Sequence, residues 1–375
     1  MFNLKQYEMK RLNVSLIITV IILCCISAFT VRLGVGNTFF KKQIFGLVAG
    51  IMVLAIVSII DYHFLCRFVA FFYVGIVGIL LLVRFSPLGT DNGTKAKRWL
   101  RLGIDIQPSD FAKIVIILTL AVILTRLQEK LDKFHIFFLI CFVAMVPTLL
   151  IYIQPNLSTS IVMMFILFTM IFAAGLSYKI IITLLSIGIP GGAAFLWYVL
   201  QPGVDLLKKY QVTRIKAFFN PTAAGVELGT GYQQSHSVTA ISSGKIYGKL
   251  ILDGPSNIRG YNSVDVTESD FIYSIIGEEY GFIGGCIIML LLAIIIIRCL
   301  LVARKATDQL GMLIAIGISS MLMCQVFVNI GVATFLLPNT GIPLPFISYG
   351  LSSLFSNMIA MGFIINIGIQ KSIRR

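Results

Sequence analysis

Charge is scarce in this sequence. Acidic and basic residues fill only 12% of 375 positions while 58% are hydrophobic, and a soluble globule carries roughly twice that charge to cover its surface. Lipid is therefore the solvent. The roughly ten-residue alternating strands of a membrane barrel are missing too, whereas apolar runs near the length of a helix crossing a core of about 30 Å recur throughout. Cysteine is absent from the long polar segments: Cys24, Cys25, Cys66, Cys141, Cys286, Cys299 and Cys324 lie in apolar runs or near their ends, which argues against a disulfide framework or a metal site. No fixed-period repeat and no matched pair of glycine-broken spans is visible, so the usual pointer to a transporter is lacking. Bases outnumber acids 30 to 16, a balance of +14. They are scattered over both predicted membrane faces with no recognition module, which argues against nucleic acid as a partner.

What is present is a series of candidate spans near 14–31, 43–60, 67–84, 109–126, 135–153, 159–176, 179–200, 271–303, 310–336 and 345–369. The expected fold is an all-α integral membrane protein, a polytopic bundle of about ten transmembrane helices forming one membrane domain over residues 1–375. The first run follows Lys5, Lys10 and Arg11 but is too long for a secretory signal and has no small-residue cleavage site, so it reads as a retained span. An even number of spans places the basic amino terminus and the tail Lys371 to Arg375 together on the cytoplasmic side. Inner loops then carry Arg67, Arg126, Lys130, Lys133, Lys179, Arg298, Arg304 and Lys305. Two longer segments, about 85–108 and 201–269, face outward, the second forming a large extracytoplasmic loop between helices 7 and 8. Both are rich in bases, among them Arg98, Arg101, Arg214, Lys249 and Arg259. Such charges sit in solvent or attract lipid headgroups, and as a group they suit an anionic, pyrophosphate-bearing ligand.

An ionisable group in a span costs at least about 2.5–3.5 kcal/mol at the helix centre, so each one raises a functional question. Asp110 and Lys113 open the fourth span three residues apart, on one helix face, where a local ion pair is the plainer reading. Asp270 directly precedes the eighth span; capping that helix is its structural alternative to catalysis. Glu278 and Glu279 lie two turns deeper, and adjacent like charges there require a partner across the bundle. The segment Leu337 to Phe346 holds three prolines in eight residues and cannot be continuous helix. It is either an outer turn or part of a wet site.

Several blocks in order carry a resemblance: Lys97-Arg98-Trp99-Leu100; Gln107-Pro108-Ser109-Asp110 with Lys113; Gln154-Pro155-Asn156-Leu157-Ser158-Thr159; Tyr210-Gln211 with Arg214; and Gly231-Tyr232-Gln233. Ser243-Gly244 with Gly248-Lys249, Ser269-Asp270-Phe271-Ile272-Tyr273 with Glu278-Glu279-Tyr280-Gly281, and the run Pro338 to Gly350 complete them. Almost end to end, the chain resembles the SEDS family of shape, elongation, division and sporulation proteins (RodA, FtsW and SpoVE), bacterial glycosyltransferases that polymerise peptidoglycan. The resemblance implies a ten-span fold in the bacterial plasma membrane and a catalytic aspartate at Asp270. Its implied substrate is lipid II, an undecaprenyl-pyrophosphate-linked disaccharide pentapeptide, and its implied partner a class B penicillin-binding protein.

By that analogy Asp270 is the general base in an inverting transfer that makes β-1,4 glycan. Lys113 is a candidate to pair with it and keep it ionised, while Asp110, Glu278 and Glu279 act in support. Arg98, Arg101, Arg214 and Lys249 are candidates for holding pyrophosphate, with Gln154, Asn156 and Ser348 completing the substrate set. Three departures stand out: the family usually has Asp at Asn156, Glu at Asp110, and a His-Thr pair at Glu268-Ser269. Magnesium or another divalent cation suits a pyrophosphate, although no motif fixes its ligands. The segment Gly244 to Lys249 looks nearer the elongation type than the division type, and a division- or sporulation-type paralogue is the alternative. A precursor flippase is the rival reading and a recruiting scaffold the third. The flippase would depend most on Glu278, Glu279 and Lys113, the polymerase on Asp270, and the scaffold on none of them.

Overall fold

A computed structural model of the chain describes residues 7–8, 11–87, 89–90, 97–101, 105–131, 133–176, 178–199, 201, 212, 218, 230–254, 256, 258–264 and 266–370. Each expected span coincides with a helix: α1 Val14–Val35, α2 Asn37–Ile59, α4 Val69–Phe85, α5 Pro108–Arg126, α6 Phe134–Ile153, α7 Leu157–Ala173, α8 Tyr178–Val199, α11 Ile272–Arg304, α12 Gln309–Ala333 and α13 Leu351–Ile369. Short helices α3 Tyr62–Arg67, α9 Thr230–Ser243 and α10 Lys249–Leu252 fill the connections. Among the described residues seven helices are long and apolar enough to cross a membrane, and α4 and α7 are shorter apolar helices. Large apolar side chains such as Phe45, Phe71, Phe85 and Phe142 are exposed, as expected where the surrounding medium is hydrocarbon.

One element has no counterpart in the sequence reading. Within the 85–108 segment, β1 Gly89–Thr90, β2 Trp99–Arg101 and β3 Asp105–Ile106 form a small antiparallel sheet, with Thr90 opposite Trp99 and Leu100 opposite Ile106. Strands of two or three residues are too short to show a period of two.

The helices group into two compact units. The first comprises Met1–Gly175, Ile288–Val326 and Pro345–Arg375. In it α2 lies close against α13 because Gly46 and Gly50, one turn apart, have no side chain: a Cβ on Gly46 would sit 2.5 Å from Leu351 Cδ2. This is the small-residue packing that membrane helices use where hydrophobicity supplies no drive between them. Ile116, Ile117, Leu120 and Leu124 of α5 are fully buried in this unit.

The second unit comprises Leu176–Ile287 and Phe327–Leu344. Here α11 breaks at Gly281, whose φ of 68° interrupts the helix. The turn after α9 docks into that break: Phe282 N–H donates to Lys245 O at 2.9 Å and Ile283 N–H to Ile246 O at 3.2 Å. A Cβ on Gly281 would lie 2.3 Å from Gly248 N, so only glycine fits both the backbone angle and the approach. Gln234 and Ser237 of α9 donate to the carbonyls of Val332, Leu337 and Ala333, satisfying the end of α12.

Candidate active site

Asp270 lies at the end of the long loop, two residues before α11, and is half-buried. Three neighbours define it. Ser269 Oγ donates to Asp270 Oδ1 at 3.0 Å. Asn329 Nδ2, from α12, donates both to Asp270 O at 2.8 Å and to Ile342 O at 2.6 Å. Gly341, in the proline-rich segment, stands so close that a Cβ there would lie 2.9 Å from Asp270 Oδ2. The irregular run Pro338 to Leu344 is thus part of the aspartate's surroundings rather than a remote turn. Its backbone is held by polar side chains, as non-helical chain at membrane depth requires. Asn339 Nδ2 adds a bond to Gln233 Oε1 at 3.0 Å.

Glu278 and Glu279 find their partners in the loop immediately before them. Glu278 accepts from Lys249 Nζ and from the backbone N–H groups of Gly260 and Tyr261 at 2.8 and 2.9 Å. Glu279 accepts from Arg259 Nε at 2.8 Å and from the Tyr261 hydroxyl at 2.9 Å. Both carboxylates are buried. Two adjacent charges are tolerated because each meets its own cation. Burial, and then the charge of Glu279, push the Tyr261 phenol above its ordinary pKa, so it stays a donor. The hydrogen bond to Glu279 raises Arg259 further. Arg259, which had been read only as a loop base, is the residue the sequence reading missed in this knot.

In the first unit Lys113 Nζ lies 2.8 Å from Asp110 Oδ1, both nearly fully buried. Of the two pairings expected for Lys113, the structure shows the local one; Asp270 belongs to the other unit. Ser356 Oγ donates to Asp110 O at 2.7 Å, tying α13 to α5. Asn156 caps α7, accepting from Thr159 N–H at 3.2 Å, and Gln154 Nε2 donates to Leu80 O at 2.8 Å. Arg98 donates to the carbonyls of Gln154 and Pro155. Arg98, Gln154 and Asn156, expected to hold substrate, therefore all brace one turn between α6 and α7. Ser348, in the segment that links α12 to α13, is buried. Arg101 closes β2, and Arg214 lies outside the described residues. No group of three or more His, Cys, Asp or Glu side chains among the described residues is disposed to hold a metal ion.

The match to a family model described as "Cell cycle protein", the FtsW, RodA and SpoVE group, runs over residues 8–373. The chain belongs to this family. Within the FtsW/RodA/SpoVE family it is 34% identical to the probable peptidoglycan glycosyltransferase FtsW of Bacillus subtilis (strain 168), across 96% of this chain and 91% of that protein. It is also 34% identical to stage V sporulation protein E of the same organism, across 88% of this chain and 86% of that one. Among solved structures, a chain from a study of the structural coordination of polymerization and crosslinking by a peptidoglycan synthase complex superposes with a TM-score of 0.79. It is 22% identical, covering 95% of this chain and 97% of that one. The rod shape determining protein RodA of Thermus thermophilus superposes at 0.66, with 20% identity over 96% of each chain. These two likenesses establish the shared membrane fold.

Proposed function

We propose that this chain is a peptidoglycan glycosyltransferase that polymerises lipid II into β-1,4 glycan, with Asp270 as general base. The curated relatives' names support the reaction class. The observation that carries the residue assignment is the Asp270 carboxylate packed against the backbone of Gly341, so closely that a Cβ there would lie 2.9 Å from Oδ2.

In this reading the acceptor sugar's 4-hydroxyl loses its proton to Asp270 as its oxygen attacks the donor's anomeric carbon. The bond to the lipid pyrophosphate breaks, the pyrophosphate leaves with the electron pair, and configuration inverts. The membrane supplies proximity, since both sugars are held at headgroup depth by their lipids. The bond from Asn329 to the Asp270 backbone keeps the carboxylate in place, and the Ser269 hydroxyl orients it. Lys249, Glu278 and Glu279 serve the site by anchoring its loop, and Asp110, Lys113, Arg98, Gln154 and Asn156 fix helix ends within the first unit.

The topology that accompanies this reading has both termini cytoplasmic, ten crossings and the 201–269 loop outside. A class B penicillin-binding protein is the proposed partner. The resemblance of the segment Gly244 to Lys249 to the elongation type supports an elongation role over a division role, with a sporulation role as the alternative.

The deciding experiment supplies fluorescent lipid II to the purified chain, with and without the transpeptidase, and resolves products on a gel. Wild type should make glycan ladders and Asp270→Asn should not, at equal thermal stability. Ladders from both would remove Asp270 from the reaction; ladders from neither would favour the flippase reading.

A further inference from the structure

In the first unit, where α1 begins and α11 and α13 end, lies a cavity of about 570 Å³. No residue assigned above to the reaction lines it. Its walls present three bases, Arg11, Arg298 and Lys305, over an apolar floor of Leu301, Val302 and Gly368, and no acid. Arg298, Leu301, Val302 and Lys305 fall at i, i+3, i+4 and i+7 and so form one stripe along α11 and the residue after it. The two bases are therefore separated by about 10 Å of helix axis, with apolar side chains between them.

The cations are not equivalent. Arg11 Nε is paired with Glu8 at 2.6 Å and its Nη1 lies 3.5 Å from Gln370 O. Arg298 and Lys305 make no ion pair with any described acid. Arg298 follows the apolar run Ile294 to Ile297 and lies about 9 Å short of the last residue of α11. A cation so far into an apolar helix needs a counter-charge or a wet exit. Asn13, which caps α1, also lines the cavity, so the positive pole of a 22-residue helix opens onto it. Outside the cavity the surface is apolar and exposed: Val14 and Ile18 on α1, Ile297 and Leu300 on α11.

We propose that this cavity binds the phosphodiester headgroup of an anionic glycerophospholipid, held chiefly by Arg298 and Lys305, with its acyl chains along the exposed apolar sides of α1 and α11. A free phosphate would satisfy the same cations. The apolar floor and flanks favour the lipid, whose tails occupy surface that a soluble anion leaves bare. On the topology proposed above the site opens toward the cytoplasmic leaflet, where basic pockets between helices take anionic headgroups.

Native mass spectrometry of the full chain in detergent, titrated with phosphatidylglycerol or with zwitterionic phosphatidylcholine, tests this directly. Phosphatidylglycerol should bind in preference. Arg298→Ala and Lys305→Ala should each reduce that preference roughly fivefold, the effect of one juxtamembrane base. Arg304→Ala, which removes an exposed base outside the cavity, should leave it unchanged, and Arg298→Lys should retain it at an unaltered melting temperature. Equal binding of the two lipids, or equal losses in Arg304→Ala and Arg298→Ala, would overturn the site. Displacement of the lipid by millimolar inorganic phosphate would assign the cations to a soluble anion and overturn the lipid.

Discussion

Asn329 fastens Asp270 to the proline-rich segment: a single amide nitrogen, buried in α12, donates to Asp270 O and to Ile342 O. The aspartate's position therefore depends on a residue that lies 59 positions away and takes no part in proton transfer. Replacing Asn329 by Ala should remove both bonds and leave the buried Ile342 carbonyl without its amide donor, at roughly 1–3 kcal/mol. Misplacing the carboxylate should lower glycan synthesis by on the order of a hundredfold. Gel assays and thermal melts of the same preparation separate the two effects, and a variant with full activity would remove Asn329 from the site.

Gly341 offers a sharper probe. Its φ is +76° and a Cβ would meet Asp270 Oδ2 at 2.9 Å, whereas Gly254, at φ +70°, has nothing within 4 Å. Gly341→Ala and Gly254→Ala should share a backbone cost of about 1 kcal/mol. Only Gly341→Ala should also abolish polymerisation while lipid II binding persists. Similar activity in both variants would refute a role for the Gly341 contact.

The Arg259–Glu279 pair is almost wholly buried, so removing one partner strands a charge. Glu279→Ala should cost about 3–5 kcal/mol, and Arg259→Met a comparable amount. The double variant Arg259→Met with Glu279→Met should recover much of the loss. Strictly additive losses in that double-mutant cycle would show the two residues to be uncoupled.

A pH effect should come from the connection between α2 and α4. His63 Nδ1 lies 2.9 Å from Asp61 Oδ1 and its Nε2 2.9 Å from Asp308 Oδ2. The hydrogen bond to Asp308 is the main reason the imidazole pKa is raised, with burial opposing it. Burial also opposes ionisation of Asp308, but the bonds from His63 and Tyr62 outweigh it and lower its pKa. For a raised histidine, the stabilisation is full below its unfolded value of 6.5 and disappears as pH climbs through the higher folded value. The Asp308 contribution is present above its ordinary 3.8 and is lost only as pH falls through the lower folded value. Melting temperature should accordingly decline on the alkaline side of neutrality in wild type and stay flatter in His63→Gln; parallel curves would contradict the assignment.

Much of this was readable in advance, for definite reasons. The ionisable groups at the span ends stand out because charge is rare in the chain, the resemblance singles out Asp270 among them, and the helices stand out because a membrane span needs a long unbroken apolar run. The Asp110–Lys113 pair follows from helical spacing alone. By contrast, Lys249 and Arg259 reach Glu278 and Glu279 across 29 and 20 residues, and no periodicity records such loop closures. Arg98 looked like a phosphate ligand because its charge is visible in sequence, while the two carbonyls it holds are not. Asn329 carried one usable signal, a polar amide inside an apolar run, which ranked below the ionisable groups.

Composition and the order of apolar runs determined that the chain lives in lipid and where its helices lie, because burial in hydrocarbon forces every backbone group into a local hydrogen bond. Only the tertiary structure decided which cation answers which carboxylate, where α11 breaks to admit the Gly244 to Gly248 turn, and that Gly341 and Asn329 stand beside Asp270. Those contacts join residues far apart in the chain, and they are selected by packing and charge satisfaction in three dimensions rather than by any local preference.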